Sequence, residues 1–204
     1  MQRTREYGSR AVIYKGSLLS HGYTFIAKAV SAVWIPKMQH EATMYRLLEV
    51  LQGQTIPVFL GVLDLRPINQ VLVVKNAPQH RFLQHLSLLS WGGPAIRQLC
   101  GTMDDENLWK FHHLANDAFL SMHAHQAVHG QAKLTSMLYS FETGGIMLVS
   151  LESAKFIDEP PRYDLPRAVE SPYQKDLRMA WDVVDELFSA LVWSEAESPI
   201  QIDD

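Results

Sequence analysis

At 204 residues, with 47% hydrophobic residues and a formal charge of −4, the chain has the size and composition of one globular domain, or of two small lobes around one cleft. Lys and Arg form no block, which excludes the electrostatic footprint of a nucleic-acid binder, and no apolar run of about 18 residues exists to span a membrane. The single cysteine, Cys100, excludes an internal disulfide; with an N-terminus that lacks the apolar stretch of a secretory leader, it leads us to expect a soluble, cytoplasmic protein.

Taken in chain order, Ala11-Val12-Ile13-Tyr14 and Tyr23–Val30 read as two strands of a hairpin. In the second, Tyr23, Phe25, Ala27 and Ala29 share one face, and Thr24, Ile26, Lys28 and Val30 the other. Pro36 opens a helix predicted to run to about Leu51, with Met44, Leu47, Leu48 and Leu51 as its apolar stripe and Gly53 as its stop. Ile56–Leu63 reads as a strand with Pro57 at its start, where a missing donor is tolerated. Val71–Val74 is a short strand, Asn76-Ala77-Pro78 a turn, and Leu86–Trp91 another strand closed by Gly92-Gly93-Pro94.

From Asp104 to His125 the residues Leu108, Phe111, Ala115, Ala118, Phe119 and Met122 mark one face of a helix. Asp104, Asp105 and Glu106 favour the positive end of its dipole. Residues 127–156 form a hairpin-rich segment that turns at Glu142-Thr143-Gly144-Gly145. Residues 157–172 are proline-rich and irregular. Leu177, Ala180, Trp181, Val184, Leu187, Phe188 and Leu191 predict a last helix, followed by an acidic tail. Strands come first and helices later, an α+β order. It divides into a strand-rich part, 1–93, and a helical part, 94–204.

Several strings resemble a fungal branch of the protein-kinase-like superfamily, which includes folds of the protein-kinase and aminoglycoside-phosphotransferase type. Gly8-Ser9-Arg10-Ala11-Val12-Ile13-Tyr14-Lys15-Gly16 is similar to a worn glycine-rich loop and its following strand. Ala27-Lys28 resembles the strand with the family's lysine, and His40-Glu41-Ala42-Thr43-Met44-Tyr45 the helix with its glutamate partner. Ile56–Gly61 and Leu88–Gly93 match the next strand and the segment leading to the hinge. His129-Gly130-Gln131-Ala132-Lys133-Leu134-Thr135-Ser136 is similar to the catalytic loop, and Ser150-Leu151-Glu152 to the metal-binding motif one hairpin later.

The resemblance implies a bilobal kinase-like fold with a strand-rich N-lobe and a reduced helical C-lobe, and Lys28 and Glu41 as the nucleotide-binding pair. It also implies a chemical deficit. Gln131 stands at the place of the catalytic aspartate, Ser136 at that of the metal-binding asparagine and Ser150 at that of the metal-binding aspartate. Phosphoryl transfer needs Mg²⁺ held by carboxylates. A hydroxyl is a weak neutral ligand, and an amide is no base near pH 7.

The expectation is therefore a pseudokinase, a binding or scaffolding module without phosphotransfer, Mg²⁺ or a required cofactor, with ATP binding left open. Its partner would be a protein or a small-molecule ligand, not nucleic acid or membrane. The alternative is a kinase-fold enzyme turned to small-molecule cyclisation or isomerisation in fungal secondary metabolism. His129 and Glu152 would then act beside Gln131, Ser136 and Ser150. The cluster His112, His113, His123, His125 and His129 lacks zinc-ligand spacing, so no metal site is expected. Trp34, Trp91, Trp109 and Trp181 are expected in the core or lining a cleft, and Cys100 as a structural thiol.

Overall fold

The computed structural model describes residues 2–3, 11–68, 72–74, 81–99 and 105–196. Gly8 and its loop, the Asn76-Ala77-Pro78 turn, Cys100, Asp104 and the acidic tail lie outside the described residues, as do the side chains of Leu108, Leu187, Phe188 and Leu191. The described elements are mixed α and β, in α+β order. They fall into two compact units, one of residues 1–92 with Ser150–Glu152, the other of residues 93–149 and 153–204. The three residues Ser150–Glu152 thus belong with the strand-rich unit, although they follow the hairpin in sequence.

The first unit is built on a five-stranded antiparallel sheet. Its strands are β1 (Gln2–Arg3), β2 (Ala11–Leu18), β3 (Tyr23–Val30), β4 (Phe59–Asp64) and β7 (His85–Ser90), in the order β1-β2-β3-β7-β4. Two short strands, β5 (Leu72–Val74) and β6 (Arg81–Leu83), pair separately. Alternation along β3 sets the sheet's two faces. Ala27 and Ala29 are buried with Val12, Leu65, Leu83 and Leu86, and Phe25, Tyr14 and Leu88 pack on that cluster. Gly16, the last residue of the string that resembles a glycine-rich loop and its following strand, lies within β2 opposite Phe25. A Cβ there would sit 2.5 Å from the Phe25 ring, so this glycine makes room for an aromatic.

Helix α1 (Ile35–Leu47) carries Pro36 in its first turn, where the missing N–H costs nothing. It ends four residues before the expected Leu51, because Leu48 leaves the helical region and Glu49–Leu51 tighten into a 3-10 turn. The buried face is Met38, Glu41, Ala42, Met44, Tyr45 and Leu48, whereas Leu47 is 60% exposed and is no part of the stripe. Gln52 straps the helix end to β4: its amide nitrogen donates to Tyr45 O at 2.8 Å, and its oxygen accepts from Phe59 N at 2.9 Å. That strap delays β4 until Phe59 instead of the expected Ile56.

The second unit packs α3 (Asp105–Ala124) and α4 (Pro172–Ala196) together, with the short α2 (Ile96–Leu99). The hairpin of β9 (Met137–Tyr139) and β10 (Ile146–Leu148) and the ladder of β8 (Ala127–Val128) with β11 (Lys155–Phe156) complete it. The expected stripe of α3 is buried at Phe111, Ala115, Ala118, Phe119 and Met122. Ser171 opens α4 with a capping box. Its hydroxyl accepts from Gln174 N at 3.1 Å and its N–H donates to the Gln174 side chain at 3.0 Å, and Pro172 follows as the first helical residue. Trp181, expected on the buried stripe of α4, is 47% exposed, while Tyr173, Asp176, Leu177, Ala180 and Val184 are buried.

Candidate functional site

Three charged residues meet in the first unit. Lys28 projects from β3 on the face opposite Ala27 and Ala29, and its ammonium donates to Glu41 Oε2 at 2.7 Å. The Lys28 side chain is 12% exposed and that of Glu41 1%. A second carboxylate, Glu152 Oε2, lies 3.6 Å from the same ammonium, and its side chain is 19% exposed. Glu41 is held by the buried face of α1. Glu152 is held by its neighbours: Leu151 is fully buried, and Ser150 takes a left-handed φ of 67°, a conformation that a residue with a Cβ adopts at some cost.

The charges are not fully satisfied. Glu41 Oε1 is buried and has no hydrogen-bond partner among the described residues, which is costly in a low-dielectric setting. One turn further along α1, Tyr45 is completely buried and stacks on Phe59 with ring centroids 5.8 Å apart. Burial, and then the Glu41 charge, push its phenol well above the ordinary tyrosine value, opposed by the Ser150 N–H. The Tyr45 hydroxyl nevertheless finds no partner at full hydrogen-bond geometry. The space around Lys28, lined also by Ala11, Val30, Trp34, Lys37 and Met38, measures about 10 Å³, enough for roughly one water.

The loop that resembles a catalytic loop lies in the second unit and is organised by a residue whose role the sequence did not reveal. Asp176, 2% exposed on α4, accepts from His129 N at 2.7 Å and Gly130 N at 2.8 Å. It also lies 3.1 Å from His123 Nε2, and His123 Nδ1 meets the Tyr163 hydroxyl at 3.0 Å. Burial, then Tyr173 and Asp176, raise the Tyr163 phenol. Gly130 has a φ of 74°, and a Cβ there would fall 2.5 Å from Ser153 O, so only glycine fits both the turn and the close approach.

The polar side chains of this loop are occupied with the loop itself. Gln131 N donates to His129 Nδ1 at 3.3 Å, which leaves Nε2 to carry the proton donated to Val149 O at 2.9 Å. His129 is thus a buried neutral imidazole with both nitrogens engaged, an arrangement unsuited to a general base. Ser136 is 3% exposed; its hydroxyl donates to Lys133 O at 2.9 Å and accepts from Lys133 N at 3.0 Å, closing a 3-10 turn. Gln131 is half-buried beside them.

The histidines disperse. His123 and His129 are buried, His112 is half-buried and His113 and His125 are exposed. Among the described residues no group of three His, Cys, Asp or Glu is placed to hold a metal ion. Trp109 and Trp181, expected in the core or lining a cleft, are 64% and 47% exposed. Together with His112 and Asp185, whose side chains meet at 3.1 Å, they line an open groove between α3 and α4. Trp91 is at the surface, with the Lys15 ammonium 3.5 Å above its ring, and Trp34 is half-buried.

Sequence reasoning missed Asp176 and the approach of Glu152 to Lys28. A signal for Asp176 was present: it sits three residues after Tyr173 and four before Ala180, a carboxylate on an apolar stripe, which must find donors to be buried. Nothing local announced Glu152. Among the described residues no helix is long and apolar enough to cross a membrane.

No family model matches the chain. Over 162 residues it is 29% identical to the meiotic driver SPOK2 of Podospora anserina, an alignment that covers 79% of this chain and 19% of that relative. The chain therefore corresponds to about a fifth of the length of the curated relative it matches.

Proposed function

We propose that this chain is a catalytically degenerate kinase-like module, which works by binding or scaffolding and transfers no phosphoryl group. The observation that carries this reading is the pair Lys28–Glu41, closed at 2.7 Å between β3 and α1. The residues matched to the family's base and metal ligands are Gln131, Ser136 and Ser150, and the Ser136 hydroxyl is consumed within its own turn. A nucleotide site of this type needs the ion pair to place phosphates and carboxylates to hold Mg²⁺. The first requirement has its residues here, and the second lacks them at the three matched positions.

The likeness to one stretch of a meiotic driver supports a module that acts within, or beside, larger protein machinery. Its partner on this reading is a protein, and its place is the cytoplasm. Small-molecule chemistry by His129 finds less support, since both ring nitrogens are already bonded.

The test is transfer of labelled phosphate from ATP with Mg²⁺ to the chain itself, to generic protein acceptors and to small-molecule alcohols. Background counts are expected throughout. Turnover approaching about 1 s⁻¹, the lower end for working kinases, overturns the proposal. A sharper arm restores the implied ligands through Gln131→Asp, Ser136→Asn and Ser150→Asp together. Gain of Mg²⁺-dependent nucleotide affinity supports the assignment of these three positions, and unchanged affinity in a folded triple variant counts against it.

A further inference from the structure

Glu152 lies two positions beyond the residue matched to the metal-binding aspartate, yet it is the carboxylate that reaches Lys28. The ammonium stands between two carboxylates, one at 2.7 Å and one at 3.6 Å, so the trio carries a formal charge of −1. An incoming phosphate must therefore displace a carboxylate from Lys28, where a free lysine would have attracted it. It also meets little room, since the remaining space holds roughly one water.

The two carboxylates are not equivalent. Glu41 is fixed on a helix, buried, and hydrogen-bonded to Lys28. Glu152 is more exposed and more distant, and it is delivered by a short segment pinned at Leu151 and turned by the left-handed Ser150. Glu41 therefore belongs to the framework, and Glu152 is the more exposed and more distant of the two carboxylates on Lys28. We propose that Glu152 is a built-in anion that occupies Lys28 in place of a phosphate, so that it sets the specificity of this site against nucleotides and other phosphate-bearing ligands. The proposal rests on the reading of the Lys28–Glu41 pair as a former nucleotide site.

The test is calorimetric titration of the chain with ATP and, separately, with inorganic pyrophosphate, both in EDTA. Wild type, Glu152→Ala, Glu152→Gln and the double variant Lys28→Ala/Glu152→Ala are compared, each checked for native circular dichroism. Wild type is expected to bind neither anion in the millimolar range. Both single variants gain affinity by about tenfold or more, which corresponds to about 1.4 kcal/mol, and the double variant loses the gain. Glu152→Gln keeps the shape of the side chain, so it carries the test if Glu152→Ala does not fold.

Equal affinity in wild type and a folded Glu152 variant overturns the proposal, and so does a gain that survives loss of Lys28. Either result leaves the degenerate-module reading standing. That reading fails separately, if wild type transfers phosphate once Mg²⁺ is supplied.

Discussion

The two buried carboxylates of this protein, Glu41 in the first unit and Asp176 in the second, solve the same problem unequally. Asp176 accepts two backbone N–H groups and faces a histidine, so that each of its oxygens is bonded. Glu41 has one oxygen on Lys28 and the other with no partner among the described residues. A buried carboxylate with both oxygens bonded serves as a structural rivet. One that is half satisfied, beside a cation already shared with Glu152, is held by a balance that a single substitution or an incoming ion can tip. Asp176 is thus held by its own donors, whereas Glu41 holds its place in the framework through a cation that it shares with the more exposed Glu152.

The largest effect that would sharpen this contrast is expected from Asp176→Ala. It strands the His129 and Gly130 donors and the buried His123, and should cost about 3–5 kcal/mol, read as loss of cooperative urea unfolding or of soluble expression. Stability within about 1 kcal/mol of wild type would refute the rivet. Lys28→Met should follow at roughly 3 kcal/mol, because it removes the cation that partners the buried Glu41. The double change Lys28→Met/Glu41→Leu should recover most of that loss, since apolar replacement of a whole buried pair is often neutral. A double variant as unstable as Lys28→Met would show that the pair itself, and not the orphaned charge, holds α1 to the sheet.

Gly130→Ala is expected to lose about 1–3 kcal/mol, because φ is positive and the new Cβ meets Ser153 O. A neutral result would mean that the loop takes another path in solution. Tyr45→Phe removes a hydroxyl without a full partner and should lie within about 1 kcal/mol of wild type at pH 7. The folded phenol titrates above its ordinary value of 10.0, so its contribution is complete below pH 10 and is lost as pH rises beyond it. The phenylalanine variant should therefore resist alkaline unfolding better than wild type in urea melts at rising pH.

The smallest effect is local. Arg66 beside Asp64 lowers that carboxyl from 3.8 to about 2, chiefly through side-chain and backbone hydrogen bonds. Its contribution is present above the unfolded value near 3.8 and fades as pH falls towards 2. Arg66→Ala should bring the Asp64 carboxyl resonance back towards the ordinary carboxylate range in an NMR titration. A midpoint that does not move would break the assignment.

What the sequence disclosed was whatever repeats over a few residues. Alternation in Tyr23–Val30 placed Lys28 opposite Ala27 and Ala29, the spacing from Phe111 to Met122 marked the buried face of α3, and Gly144-Gly145 marked the turn between β9 and β10. Periodicity does not distinguish the centre of a stripe from its margin. Leu47 and Trp181 both fit apolar stripes and both lie at the surface. Contacts between distant segments left still less trace. Asp176 lies 46 or more residues from the donors it holds, and no local spacing links Glu152 to β3. The Lys28–Glu41 pair was accessible only because both residues stand in strings that resemble a known family.

The exposure of Trp109 and Trp181 also bears on how any of these unfolding curves should be recorded. Their indoles already face solvent in the native state, and Trp91 lies under a lysine at the surface. Emission from these three indoles should therefore shift little in wavelength on denaturation. Quenching of these indoles by added iodide should be strong while the protein is still fully folded, so backbone circular dichroism, rather than their colour, is the signal to follow.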